Sequence, residues 1–330
     1  MKLTKGKKRA LAIVVLVLVF LSLLNASWLA PKPEGKPKLI AHRGVYHLYD
    51  KRAAAGRDTC TARFINPPDH EVFENSIPSI QMAAGLGGAL VEVDVAATKD
   101  GKMVLFHDWT VDCRTDGKGE TRNLTLAELK ALDIGYGYTA DGGKTYPLRG
   151  KGVGQIPTVE EALTALPSRA LLFNFKSKNP AEADQLFAIL KASGRDYEKL
   201  GDAFYGAQGP VDRTRQLAPN NWAFNMKGEA KACTTDYVLY GWTGIIPKSC
   251  EDGVLVIPIN YQWPMWGWPN RLIARMASVG ARVIVTGPYE SGKSNEGLTD
   301  VHDLGKIPGS FNGYIWVEDI WAIGPALKGK

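Results

Sequence analysis

From Lys38 onward the chain repeats one pattern: a short apolar run, a longer amphipathic stretch, then another apolar run. The runs cover 39–41, 89–95, 103–106, 170–175, 202–205, 222–224, 254–257, 282–285 and 314–316. Runs this short and this apolar read as strands covered on both faces, the habit of parallel sheets. Between them, 76–84, 126–132, 158–165, 181–192 and 270–278 read as helices. Thr158 with Glu161 three residues on makes a capping box, and Asn179-Pro180 reads as an N-cap followed by proline in the first helical position. Eight or nine strands interleaved with helices predict the α/β class and a closed (β/α)8 TIM barrel over 38–330. The interval from Asp94 to Val104 is too short for a crossover helix, so we expect an irregular loop there.

The chain carries 40 Lys and Arg against 34 Asp and Glu, which suggests a nucleic-acid partner until the distribution is considered. Lys2, Lys5, Lys7, Lys8 and Arg9 crowd the first ten residues, and the remainder is almost neutral. No general basic face is left for a phosphate backbone, so a nucleic-acid partner is excluded. After Arg9 no charge appears until Lys32. A basic end followed by an apolar run reads, over 1–30, as a signal peptide or an uncleaved membrane anchor. Pro31, directly after the run, tilts this towards an anchor. In both cases the basic end stays cytoplasmic and the body lies outside, periplasmic or secreted, with 31–37 as an extended linker. Cys60, Cys113, Cys233 and Cys250 all follow that segment. An even count outside the cytosol fits two disulfides in any of three connectivities, of which we expect Cys60–Cys113 and Cys233–Cys250.

Polar groups gather where the apolar runs end, the mouth at which a barrel holds its active site. The first run ends in His42-Arg43-Gly44 and the third in His107-Asp108. In the second, alternation puts Glu92 and Asp94 on one face and Val91, Val93 and Val95 on the other. Two neighbouring carboxylates on a covered strand need compensation, and a divalent cation held by oxygen ligands supplies it. Asn174 and Lys176 share a face of the fourth run, and Glu74-Asn75-Ser76 opens a helix. Two imidazoles, two carboxylates, an amide and two cations thus converge from several strand ends.

His42-Arg43-Gly44, Glu74-Asn75-Ser76, Glu92-Val93-Asp94, Asp100-Gly101 and His107-Asp108 resemble, in order and spacing, the glycerophosphodiester phosphodiesterases. The likeness covers 38–176, and Arg114–Gly119 adds to it. It implies metal-dependent hydrolysis of a glycerophosphodiester to an alcohol and glycerol phosphate. His42 and His107 would be the general acid and base, Arg43, Lys176 and Glu74 would bind substrate, and Glu92, Asp94 and Asn174 would hold Ca2+ or Mg2+. Two departures stand out. The stretch 45–73 is longer than the compact family form and reads as a lid or substrate-selecting insertion. The family commonly has a third carboxylate two residues before its lysine, where this chain has Asn174.

Gly287–Ser294 fits the phosphate-loop pattern, but Pro288 interrupts it and no helix-like stretch follows. We read it as a loop at the mouth and exclude a nucleotide. Trp263, Trp266 and Trp268 either cap the barrel or meet a sugar or lipid. The runner-up is a phospholipase C- or D-like barrel acting on phospholipid or lysophospholipid, with the membrane met through the N-terminal segment. A carbohydrate-binding module leaves His42, Glu92, Asp94 and His107 unexplained. Asn123-Leu124-Thr125 fits a glycosylation sequon and reads as a polar turn.

Overall fold

All nine apolar runs form strands in a computed structural model that describes residues 4–49, 59–291 and 297–329. They are β1 (Lys38–Ala41), β2 (Gly88–Ala97), β3 (Met103–Leu105), β4 (Ala170–Phe175), β5 (Ala203–Gly206), β6 (Trp222–Phe224), β7 (Val254–Pro258), β8 (Arg282–Thr286) and β9 (Tyr314–Val317). The helices are α1 (Lys5–Leu24), α2 (Ile77–Leu86), α3 (Leu126–Ala131), α4 (Val159–Ala165), α5 (Ala181–Ala192), α6 (Tyr197–Leu200), α7 (Gln208–Leu217), α8 (Lys231–Tyr240), α9 (Asn270–Ser278) and α10 (Ile320–Lys328).

Eight strands run parallel in the order β6-β5-β4-β2-β1-β9-β8-β7. Side chains alternate across them as the pleat requires. Val91, Val93, Val95, Leu171 and Phe173 face outward into the layer shared with the helices. Ile40, Leu90, Leu172, Tyr205, Phe224 and Trp316 fill the barrel interior. The same alternation turns Glu92, Asp94 and Asn174 inward, above the apolar fill. Polar side chains are thereby stacked at one end of the barrel.

The barrel is not fully closed as expected. Among the described residues β6 and β7 share no ladder. β6 is only three residues long, and the chain then enters a π-helical turn, Met226–Ala230, that buries Ala230 among the interior residues. Thr234 of α8 pairs with the β7 side of the gap, its Oγ1 accepting the Val256 N–H at 3.0 Å.

A second correction concerns β3. It pairs antiparallel with β2, Val95 opposite Leu105, and lies off the barrel path. The expected irregular loop is a tight reversal in which Gly101 adopts φ 71°. β2 overshoots the barrel rim and folds back, so His107 reaches the mouth from a hairpin. α5 covers Ala181–Ala192 as read, but its cap is Pro180 rather than Asn179, whose Oδ1 accepts the Ala181 N–H at 3.1 Å.

Both expected disulfides are formed, Cys60–Cys113 and Cys233–Cys250, with Cα separations of 5.3 and 4.6 Å. The first ties the stretch after β1 to the stretch after His107, where Ala62, Ile65, Phe73, Phe106, Ile134 and Tyr138 form a satellite core. Residues 50–58 of the expected insertion lie outside the described residues, as do 292–296 of the Gly287–Ser294 stretch.

The signal peptide or anchor expected over the first thirty residues coincides with α1 and the turn after it. Asn25 stops α1 by donating from Nδ2 to Leu21 O at 2.9 Å and to Trp242 O at 2.7 Å. Lys5, Lys7, Lys8 and Arg9 occupy its first turns, and the uncharged remainder reaches only about 22 Å at 1.5 Å per residue, short of the ~30 Å hydrocarbon layer. No helix among the described residues is long and apolar enough to cross a membrane.

Candidate active site

The first two motifs are locked together by backbone. Arg43 and Asn75 both have left-handed φ, 55° and 60°, a conformation that costs a non-glycine residue ~1–3 kcal/mol. In return the Arg43 N–H donates to Glu92 Oε2 at 2.7 Å. The Asn75 N–H donates to Arg43 O at 3.0 Å. Gly44 follows at φ 77°, and a Cβ there would lie 2.2 Å from Ser79 Oγ. Ser79 Oγ accepts the Val45 N–H at 2.8 Å, so the space is taken. Only glycine fits.

The carboxylate pair is fully buried. Glu92 Oε1 accepts from Tyr205 Oη at 2.6 Å and from Asn174 Nδ2 at 3.0 Å. Asp94 accepts from Asn75 Nδ2 at 2.9 Å and from Asn174 Nδ2 at 2.8 Å, with Lys176 Nζ 3.3 Å away. Burial, and then Asp94, push Glu92 above the ordinary carboxylate range. Burial works the same way on Asp94, but Lys176, His107 and Arg43 outweigh it and hold that group low. The two buried carboxylates offer hard oxygen ligands that fit a divalent cation, whereas Asn174 turns its Nδ2 towards them and would join as a ligand only with its Oδ1 turned inward.

The two imidazoles have unlike partners. His42 Nδ1 lies 2.5 Å from Glu318 Oε2, and Tyr46 Oη donates to the same oxygen. Burial disfavours a charged His42, yet Glu318 raises it above its ordinary value. His107 Nδ1 bonds to Asp108 Oδ1 at 2.7 Å, while Arg43 Nη2 lies 2.7 Å from Nε2. A guanidinium only donates, so Nε2 must accept and the ring is neutral. Burial, with Arg43 and Lys176, lowers His107 to about 4.

Glu74 sits between two guanidiniums, 3.2 Å from Arg43 Nη1 and 3.2 Å from Arg114 Nη1. Arg114 Nε lies 2.9 Å from Asp108. His42, Arg43, Glu74, Glu92, Asp94, His107, Asn174 and Lys176 are thus joined in one network at one mouth. Sequence reading missed Glu318 and Tyr205, and it took in Asn75, Asp108 and Arg114 only as motif neighbours. Glu318 directly follows β9 as His42 follows β1, and that strand-end position was the available signal. A separate group, His47, Asp69 and His70, brings metal-capable atoms within 4.8 Å of one another away from the carboxylate pair.

Residues 42–192, which carry all of these motifs, match the glycerophosphoryl diester phosphodiesterase family. That match takes in 151 of the 330 residues, and over it the chain resembles the family. Among curated relatives, a glycerophosphodiester phosphodiesterase of Caldanaerobacter subterraneus is 37% identical over 108 residues, covering 33% of this chain and 41% of its own. Glycerophosphodiester phosphodiesterase 1 of Mus musculus is 32% identical over 169 residues, covering 51% and 41%. The matched part spans less than half the length of these relatives. The barrel as a whole resembles the crystal structure of a glycerophosphodiester phosphodiesterase from Agrobacterium tumefaciens, with TM-score 0.57 and 17% identity over 89% of this chain and 100% of that one. An Oleispira antarctica phosphodiesterase in complex with the product sn-glycerol-3-phosphate gives TM-score 0.54 at 19% identity, over 89% and 97%. These likenesses carry the fold.

Proposed function

We propose that the chain hydrolyses glycerophosphodiesters to an alcohol and glycerol phosphate. The observation that carries this reading is the pair of imidazoles held by unlike partners, His42 by Glu318 and His107 by Asp108 and Arg43, beside the buried Glu92–Asp94 pair. Neutral His107 takes through Nε2, once substrate engages Arg43, the proton of the attacking group, which is either water or a substrate hydroxyl whose cyclic phosphate water then opens to glycerol phosphate. Protonated His42, oriented by Glu318, gives its proton to the leaving alcohol oxygen. The P–O bond to the alcohol breaks as the new P–O bond forms, and the proton count closes between the two rings. Arg43 and Lys176 grip phosphoryl oxygens, and Glu74 holds Arg43 in place. A divalent cation, Ca2+ or Mg2+, on Glu92, Asp94 and Asn174 supplies charge stabilisation when bound.

Two disulfides and the basic-then-apolar first thirty residues support an extracytoplasmic location for a single barrel over 38–330. Contacts from Arg275 to Leu24 O at 3.1 Å and to Asn25 Oδ1 at 3.0 Å support a segment whose C-terminal end is held on the barrel. Trp263, 81% exposed, favours the runner-up reading of a lipid substrate. One assay separates the two: glycerophosphocholine against phosphatidylinositol and lysophospholipid, with and without chelator. Chelator-sensitive turnover of glycerophosphocholine alone is expected. Turnover confined to the lipids would replace this reading with the runner-up.

A further inference from the structure

Arg114 stands one layer behind the reacting groups. It is 4% exposed, and a guanidinium so desolvated persists only when it is paired. Its Nη1 lies 3.2 Å from Glu74 Oε2 and its Nε 2.9 Å from Asp108 Oδ2, the latter an ion pair whose N–H is not aligned for a hydrogen bond. Each carboxylate turns its other oxygen to the site. Glu74 Oε1 accepts from Arg43 Nη1 at 3.2 Å, and Asp108 Oδ1 lies 2.7 Å from His107 Nδ1. One buried cation therefore backs both the phosphate-gripping arginine and the base.

The guanidinium is held in turn by a cross-linked frame. Nη2 donates to Thr61 Oγ1 at 3.0 Å and Nη1 to Tyr138 Oη at 2.8 Å. Thr61 directly follows Cys60 and Arg114 directly follows Cys113, so the disulfide joins the neighbours of the donor and of its acceptor. Backbone bonds close the frame. The Gly137 N–H donates to Arg114 O at 3.1 Å, and the Thr139 N–H donates to Ala62 O at 2.9 Å. A Cβ at Gly137 would stand 1.9 Å from Cys113 O, so the two segments pass closer than any side chain allows.

Resting on the phosphodiesterase reading, we propose that Arg114 is a positioning residue of the reaction, and that the Cys60–Cys113 disulfide is the brace that fixes it. With both in place, Asp108 orients the His107 ring and Glu74 holds Arg43. Without the cross-link, Thr61 and Arg114 are joined by a hydrogen bond across 53 positions. A drift of the guanidinium then reaches two site groups at once, and a misplacement of ~1 Å costs as much as ~100-fold in rate. The other disulfide, Cys233–Cys250, ties α8 to the turn Lys248–Cys250 instead.

The test measures kcat and KM of the full chain for glycerophosphocholine, well below the melting temperature of each variant. Cys60→Ser with Cys113→Ser should lower kcat roughly tenfold or more, whereas Cys233→Ser with Cys250→Ser should stay within about twofold. Arg114→Lys keeps the charge but loses the fork, so kcat should fall by a factor similar to that of the first pair. In an Asp108→Asn background the same lysine change should cost about threefold or less, because one arm through which it acts is already cut. A purely structural role would give the same factor in both backgrounds. Unchanged kcat after loss of Cys60–Cys113, equal losses in the two disulfide variants, or equal factors in the two backgrounds would overturn the proposal. If the unaltered chain turns over no phosphodiester, the phosphodiesterase reading fails instead. The brace is then judged by nitrogen NMR of the His107 ring, assigned with His107→Ala. Its resonances should shift in Arg114→Lys and on loss of Cys60–Cys113 but not on loss of Cys233–Cys250, and shifts alike or absent in all three would overturn it.

Discussion

Arg43 Nη2 donates to His107 Nε2 at 2.7 Å. That contact keeps His107 unprotonated at the nitrogen facing the site, while the same arginine presents its backbone N–H to Glu92. One residue, held in a left-handed conformation, sets the state of the base and braces the carboxylate pair.

The unlike partners of the imidazoles fix the pH dependence. His107, lowered to about 4, loses base function only in acid. His42, raised by Glu318, loses acid function only as pH climbs past its ordinary 6.5. A profile of kcat/KM should rise through about 4 and fall above 6.5, and Glu318→Gln should move the alkaline limb to lower pH. An unmoved limb would remove Glu318 from this role. Stability follows the same signs. The His42 contribution is full below 6.5 and disappears as pH rises through its raised pKa. The His107 contribution is present above 6.5 and disappears as pH falls through about 4.

Gly44→Ala places a Cβ 2.2 Å from Ser79 Oγ at φ 77°. Strain of this kind should cost about 1–3 kcal/mol, read as a lower urea midpoint at unchanged slope. Activity should fall with it, because the same turn aims Arg43.

Asn174→Asp adds a third carboxylate beside Glu92 and Asp94. The cation concentration for half-maximal activity should drop by roughly tenfold, as added ligand charge tightens an oxygen site. In chelator the same variant should melt at a lower temperature than the unaltered chain, with three buried carboxylates left uncompensated.

Much of this was legible in the chain. The nine strands follow from apolar runs, and the Glu92–Asp94 face follows from alternation alone. The direction of β3 was not, because it depends on a four-residue reversal at Thr98–Gly101 rather than on the run itself. α8 escaped notice because its apolar residues form no stripe, and its Thr234 is tied to β7 through Val256. α10 carries Pro325 inside it, which argues against a helix when read from sequence. Glu318 is a lone acid after a strand, and only the fold brings it to His42 across 276 positions.

The disulfides offer a graded test of stability. Loop closure over a separation of 53 residues is worth about 4 kcal/mol in the chain-entropy model, and over 17 residues about 3 kcal/mol. Paired serine substitution at Cys60 and Cys113 should therefore lower the unfolding free energy more than the same change at Cys233 and Cys250, as measured by urea titration.

The central claim is that His42 and His107 divide the proton work of phosphodiester cleavage. Phosphorus NMR of glycerophosphocholine, followed with the unaltered chain, His42→Ala and His107→Ala in saturating Ca2+ or Mg2+, tests it most directly. Glycerol phosphate should accumulate with the unaltered chain, and each variant should be slower by ~10²–10⁴ with its fold intact. Near-normal product formation in either variant would contradict the account.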